Sequence, residues 1–230
     1  MSKVEHIGTS EKQSNQSRPT GIGSSGFGEL SLQEVRRLHE FSSHKTPSLQ
    51  QLTLNKEERQ DQKELASLGF SQSTIAADIL FQREKRQGNH LAAVGDALLL
   101  LNDAKVRSSK QLTANVSNDL SWELLESGKD PDIALHAAKI SVNAAPDALN
   151  EDTLAVNYLA QRNYSEALSH SNQSVRGIDI IKEDRMKGAV LFHRAVAEEH
   201  LSEFGQAHQD LQASARLGFQ PAPWEKRLQK

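Results

Sequence analysis

Residues 118–168 read NDLSWELLESGKDPDIALHAAKISVNAAPDALNEDTLAVNYLAQRNYSEAL. Apolar residues recur here at helical spacing, and two kinds of stop signal divide the stretch. Gly128 supplies a residue that tolerates a left-handed helix end, and Pro146 breaks the next segment. Pro131 sits where proline is accepted, in the first turn of a helix. The pattern predicts helices of about 12–18 residues joined by very short breaks. Working outward, the same texture begins near Ser73, with Gly88 as another stop, and no segment shows the period-two alternation of a strand. The reading is all-α.

Small residues then recur in register. GNHLAAVGDALLL, GKDPDIALHAAKIS, RNYSEALSHSNQS and SEFGQAHQDLQAS each place an alanine just after a turn: Ala93, Ala134, Ala167 and Ala207. Four residues later come Ala97, Ala138, Ser171 and Leu211, and seven residues on come Leu100, Ser141, Ser174 and Ser214. Ala134 and Ala167 are 33 residues apart; Ala167 and Ala207 are 40 apart, with Ile-Lys-Glu-Asp-Arg inserted. A small residue on the second helix of a pair lets the first approach closely.

In this the chain resembles the tetratricopeptide repeat, a 34-residue helix-turn-helix. Trp122, Leu125, Gly128, Ala134-Leu135 and Pro146 carry the likeness in one unit. Leu154, Ala155, Tyr158, Tyr164 and Ala167-Leu168 carry it in the next. Leu191, Ala195, Phe204, Ala207 and Leu211 carry it in a third, closed by Leu217-Gly-Phe-Gln-Pro221. Glu198 and Arg194 depart from it, standing where apolar residues are usual, and residues 106–114 suggest extra helix joined to the following unit. The expected fold is therefore an α-solenoid with units at about 115–147, 148–181 and 188–221, a divergent unit at 74–105, and a capping helix over 222–230.

The first 54 residues read differently. Residues 1–29 are Ser, Gln, Gly, Asn and Thr with scattered charge, and predict disorder. Ser31-Leu-Gln-Glu34 fits a capping box that opens a short amphipathic helix, with Leu32, Val35 and Leu38 on one face to about Phe41. Residues 55–72 predict a charged linker helix, with Asn55 as cap and Gly69 as stop.

Composition removes several function classes. The chain has 230 residues, no cysteine and a net charge of -3, so disulfides, thiolate metal sites and a catalytic Cys are excluded, and no global positive field invites nucleic acid. Ala97–Leu101 is the longest aliphatic run, far too short to cross a bilayer. The start lacks a signal-peptide core, and the expectation is a cytoplasmic protein.

Gly21–Gly26, GIGSSG, matches a nucleotide-binding fingerprint, but the polar EKQSNQSRPT before it cannot be the buried strand that the fingerprint needs. The match reads as tail. His193, His200 and His208 lie near Glu198, Glu199 and Glu203 without metal-ligand spacing, and no nucleophile elbow accompanies the serines. No catalytic residue, cofactor or metal is expected. The charge runs at 57–64 and 82–87 read as wet helix faces.

The resemblance implies a concave surface formed by the first helices, where a partner peptide or helix docks. By offset its lining is Asp119, Glu123, Glu126, Asp152, Val156, Leu159, Phe192, Val196 and His200, acidic at one end and apolar at the other. That implies a partner segment with basic residues at one end. Asp119, Glu123, Thr153 and Val156 stand where some members carry a two-carboxylate clamp, so that clamp is not expected. The expected role is a non-catalytic adaptor. The 32–41 helix is a second docking element, or folds back into the groove. The alternative is a chaperone or translocated protein of a bacterial secretion system, suggested by the polar start.

Overall fold

A computed structural model describes residues 29–41 and 47–229. The Gly-rich match at 21–26 and the polar stretch at 1–28 lie outside the described residues. The described residues hold eleven α-helices and no strand.

Four helix pairs follow one another. α1 (Leu32–Phe41) and α2 (Lys56–Ser67) precede them. The pairs are α3 (Gln72–Gln87) with α4 (His90–Asn102), α6 (Lys110–Ser127) with α7 (Pro131–Ala144), α8 (Ala148–Ala160) with α9 (Tyr164–Arg176), and α10 (Asp184–His200) with α11 (Phe204–Arg216). α5 (Ala104–Ser108) joins the first pair to the second. Each second helix also packs on the next first helix, and the first helices α6, α8 and α10 touch in succession.

Every pair turns on one hydrogen bond. The amides of Asn89, Lys129, Asn163 and Glu203 donate to the carbonyls five residues back, those of Glu84, Leu124, Tyr158 and Glu198, which satisfies carbonyls orphaned at the helix end. The residue entering this turn is left-handed. Gly88 and Gly128 adopt it without strain, whereas Arg162 and Ser202 hold φ of 60° and 66°.

The small-residue register becomes the contact between paired helices. Ala93, Ala134, Ala167 and Ala207 are all buried, as are Ala97, Ala138 and Ser171 four residues on. At the next step two of the three serines bond. Ser174 Oγ donates to the Ala148 carbonyl at 2.6 Å, and Ser214 Oγ donates to the Gly188 carbonyl at 2.7 Å. Both bonds span 26 residues, so two successive pairs close on the same contact.

Several expectations are corrected. The described parts of the arm are docked: Leu38 is fully buried, and Leu49, Leu52 and Leu54 join a cluster with Ile75, Ala76 and Ile79. The capping box at Ser31 forms, with Glu34 Nα donating to Ser31 Oγ and Ser31 Nα to Glu34 Oε2. Leu32, however, is 78 % exposed, and Leu30 packs inward in its place. α1 lies on the second helices and not in the groove, since it packs on α4, and Glu34 and Arg37 bond His136 and Asp130. Residues 106–114 do not run on as one helix, because Ser109 ends α5 and caps α6 by accepting from Leu112 Nα.

Residues 222–229 do not form an α-helical cap either. They hold a single 3-10 turn at Glu225–Arg227, flanked by turn residues from Pro223 to Gln229.

The charge runs are not simply wet. Glu58 is buried and takes two bonds from Arg83 at 2.6 and 2.7 Å, which clamps α2 to α3 and holds the Glu58 carboxyl down at about 2. The departures Arg194 and Glu198 join Asp210 in an internal ion cluster between α10 and α11. Burial, together with the nearby Asp210, pushes Glu198 up to about 7.

A Cβ on Gly188 would sit 2.7 Å from Phe219 Cβ and 3.1 Å from the Ser214 carbonyl. Gly188→Ala should therefore destabilise the chain by about 1–3 kcal/mol, despite the better helix propensity of alanine. Urea unfolding of the two proteins checks this.

Candidate functional site

The face shared by α6, α8 and α10 is occupied by the end of the chain. After α11, Gly218 turns at φ 76° and residues 219–229 run back across the first helices. Phe219 packs on Phe192 of α10 with ring centroids 5.4 Å apart. Trp224 meets Trp122 of α6 edge-on at 5.4 Å, a geometry that adds about 0.5–1.5 kcal/mol beyond buried area. Leu228 lies against two apolar clusters, one containing Leu124, Leu125 and Val156 and the other Leu159, Phe192 and Val196.

The polar contacts are as specific. His193, on α10, is fully buried. Its Nδ1 lies 3.0 Å from both oxygens of Asp152 on α8, and its Nε2 lies 3.3 Å from Glu225 Oε1. A carboxylate only accepts, so both ring nitrogens donate and the ring is an imidazolium. Burial pulls its pKa down, but Asp152 and Glu225 outweigh burial and raise it to about 9. Glu225 is itself buried, with Oε2 accepting from Ala222 Nα. His200 Nε2 donates to the Leu228 carbonyl at 2.8 Å, while its ring stacks on Tyr164 at 4.0 Å.

The residues expected to line the groove are now placed. Val156, Leu159, Phe192 and Val196 are buried in the two clusters. Asp119 takes Lys85 Nζ at 2.5 Å. Glu123 and Glu126 share His90 at 2.8 and 3.1 Å, and Glu126 also accepts from Trp122 Nε1. Burial pushes the Glu123 carboxyl up, against His90 and Lys85. Asp152 is held by His193. Each of the four carboxylates thus already has a partner within the chain.

Sequence reasoning missed Trp224, Glu225 and Leu228 as occupants of this face. A signal was present in Trp224, one of only two tryptophans in the chain, in a segment where a solenoid cap would be polar.

A cleft of about 270 Å³ remains beside the segment. It is lined by Tyr164, Leu159, Lys129 and Arg162 on one side and by Trp224 and Arg227 of the segment on the other, with no Asp or Glu among its lining residues. Among the described residues there is no cluster that could hold a metal ion, and no helix long and apolar enough to cross a membrane.

No protein-family model matches the chain, and no curated protein is significantly similar to it.

The His193 cation makes stability depend on pH in a definite direction. Its pKa is raised from 6.5 to about 9, so its contribution is complete below pH 6.5, declines above it and is gone beyond about pH 9. The full effect is on the order of 3 kcal/mol. Wild-type Tm should fall relative to His193→Gln between pH 6 and 10, as followed by circular dichroism; parallel curves would show that the ring is not a buried cation.

Proposed function

We propose that this chain is a non-catalytic protein-interaction module, a tetratricopeptide-like array whose first helices hold a short segment of a partner. The observation that carries the reading is the occupied face. α6, α8 and α10 together bind a short stretch of polypeptide, wound in turns and one 3-10 turn, through an aromatic ring, a carboxylate and a backbone carbonyl. A compact segment of a partner offers a groove the same three kinds of contact. The repeated turn bond and the two serine bonds at the same 26-residue spacing support the repeat reading, independently of the sequence pattern.

The geometry changes the expected partner. Asp119, Glu123, Glu126 and Asp152 are paired internally, which removes the reason to expect basic residues on it. The open cleft carries the exposed Arg162 and no acid, and His193 already faces a carboxylate. A segment with acidic and aromatic residues complements this face.

Arg162 is exposed, so its reversal should leave the fold intact. Full-length wild type and an Arg162→Glu variant should be compared in affinity capture from the native lysate. A groove partner should fall at least tenfold in the variant at unchanged helicity. Capture that ignores this charge, or no capture by either protein, would overturn the reading.

A further inference from the structure

Residues 221–229 read Pro-Ala-Pro-Trp-Glu-Lys-Arg-Leu-Gln. Their side chains divide cleanly. Trp224, Glu225 and Leu228 turn inward to Trp122, His193 and the two apolar clusters, whereas Lys226, Arg227 and Gln229 are exposed. The inward set is an aromatic residue, a carboxylate directly after it, and an aliphatic residue three positions further on.

Each inward contact selects chemistry. Asp152 holds His193 Nδ1, so the ring presents a charged Nε2–H toward the segment. A carboxylate satisfies that buried donor, whereas a lysine there would set two cations together and an aliphatic residue would leave the donor unpaired. Trp122 offers a half-buried ring to a second aromatic. The His200 donor takes a main-chain carbonyl, which any sequence supplies. The segment is closed by its own backbone bonds, from the amides of Lys226, Arg227 and Leu228 to the carbonyls of Ala222, Trp224 and Glu225, and it leaves the adjoining cleft unfilled.

We propose that the first-helix face is a receptor for a short linear segment of the pattern aromatic, carboxylate, two variable residues, aliphatic. Residues 224–228 are the chain's own copy of that ligand, and a partner protein carrying the pattern binds by displacing it. This rests on the interaction-module reading above and names what that module recognises. The internal copy is a competitor at high effective concentration, so partner affinity depends on how firmly the chain's own segment is held.

The test uses the full-length chain and a fluorescein-labelled peptide of residues 219–230 as the probe. In a Trp224→Ala, Leu228→Ala variant the internal copy is weakened while the receptor residues are untouched. Anisotropy should show the peptide binding this variant at least tenfold more tightly than wild type. A peptide carrying Glu225→Lys should bind the variant at least tenfold more weakly than the native peptide. If the double variant loses helicity, the full-length Glu225→Lys chain, which keeps both apolar contacts, takes its place in the same assay. Equal peptide binding by wild type and variant, or no binding by a variant whose tail is cleaved after Lys226 or Arg227 by trypsin far faster than wild type, would overturn the proposal. A wild-type sedimentation mass of two chains, lost in the variant, would assign the segment to a second copy and overturn it as well. The charge-reversal experiment on Arg162 separates the two claims. If a partner still depends on that charge while the peptide fails, the module reading stands and only the internal-ligand claim falls.

Discussion

A charged ring sealed from water constrains the rest of this chain. His193 sits in the interior with Asp152 on one nitrogen and Glu225 on the other, and aromatic rings of Trp122, Phe192 and Phe219 around it. An isolated cation in such a place would lose its proton, so the two carboxylates have to arrive together. One comes from the preceding first helix and the other from beyond the last helix. The relative register of α8 and α10, the reversal at Gly218 and the path of the final residues are coupled through this one group. A sequence that placed a leucine at 193 would relax all three requirements at once.

The first helices are polar inside to an unusual degree for a helical core. Asn157 donates to Ser121 Oγ and to the Thr153 carbonyl, while its own oxygen and the hydroxyl of Ser117 lack a partner, as do the hydroxyls of Ser141 and Ser171 on the second helices. Such groups reduce stability where they remain unpaired. The offsetting gain lies on the second helices, where alanine and serine allow close packing and where Ser174 and Ser214 bind main-chain carbonyls across the pair. These contacts draw the two helices of a pair together, while the apolar clusters run across successive pairs.

The sequence displayed the helices well and the occupied face poorly, for a physical reason. Gly88, Gly128, Pro131 and Ser31 act on their own backbone, so their effects are local and readable. The alanine register is also readable, because it repeats. Periodicity says which side of a helix is turned toward something, but it does not say what is there. The acidic residues at 119, 123, 126 and 152 looked like a surface because, apart from the Trp122 indole beside Glu126, the side chains described as pairing with them are distant in the chain. Their partners, Lys85, His90 and His193, lie on other helices, mostly more than 30 residues away. Glu58 with Arg83, and Glu34 with His136, escaped for the same reason. The final residues were misread because their polar composition resembles an ordinary helical cap. Only Trp224 spoke against it.

The two ends of the described chain are held by different sets of helices. α1 is fastened to α4 and α7, and the final residues to α6, α8 and α10. This decides how the molecule can be handled. A fluorescent protein, surface tether or purification handle joined ahead of α1 leaves the first-helix face as nature built it. The same appendage joined after Gln229 hangs bulk on the element that fills that face, and changes the surface under study by the act of attaching to it.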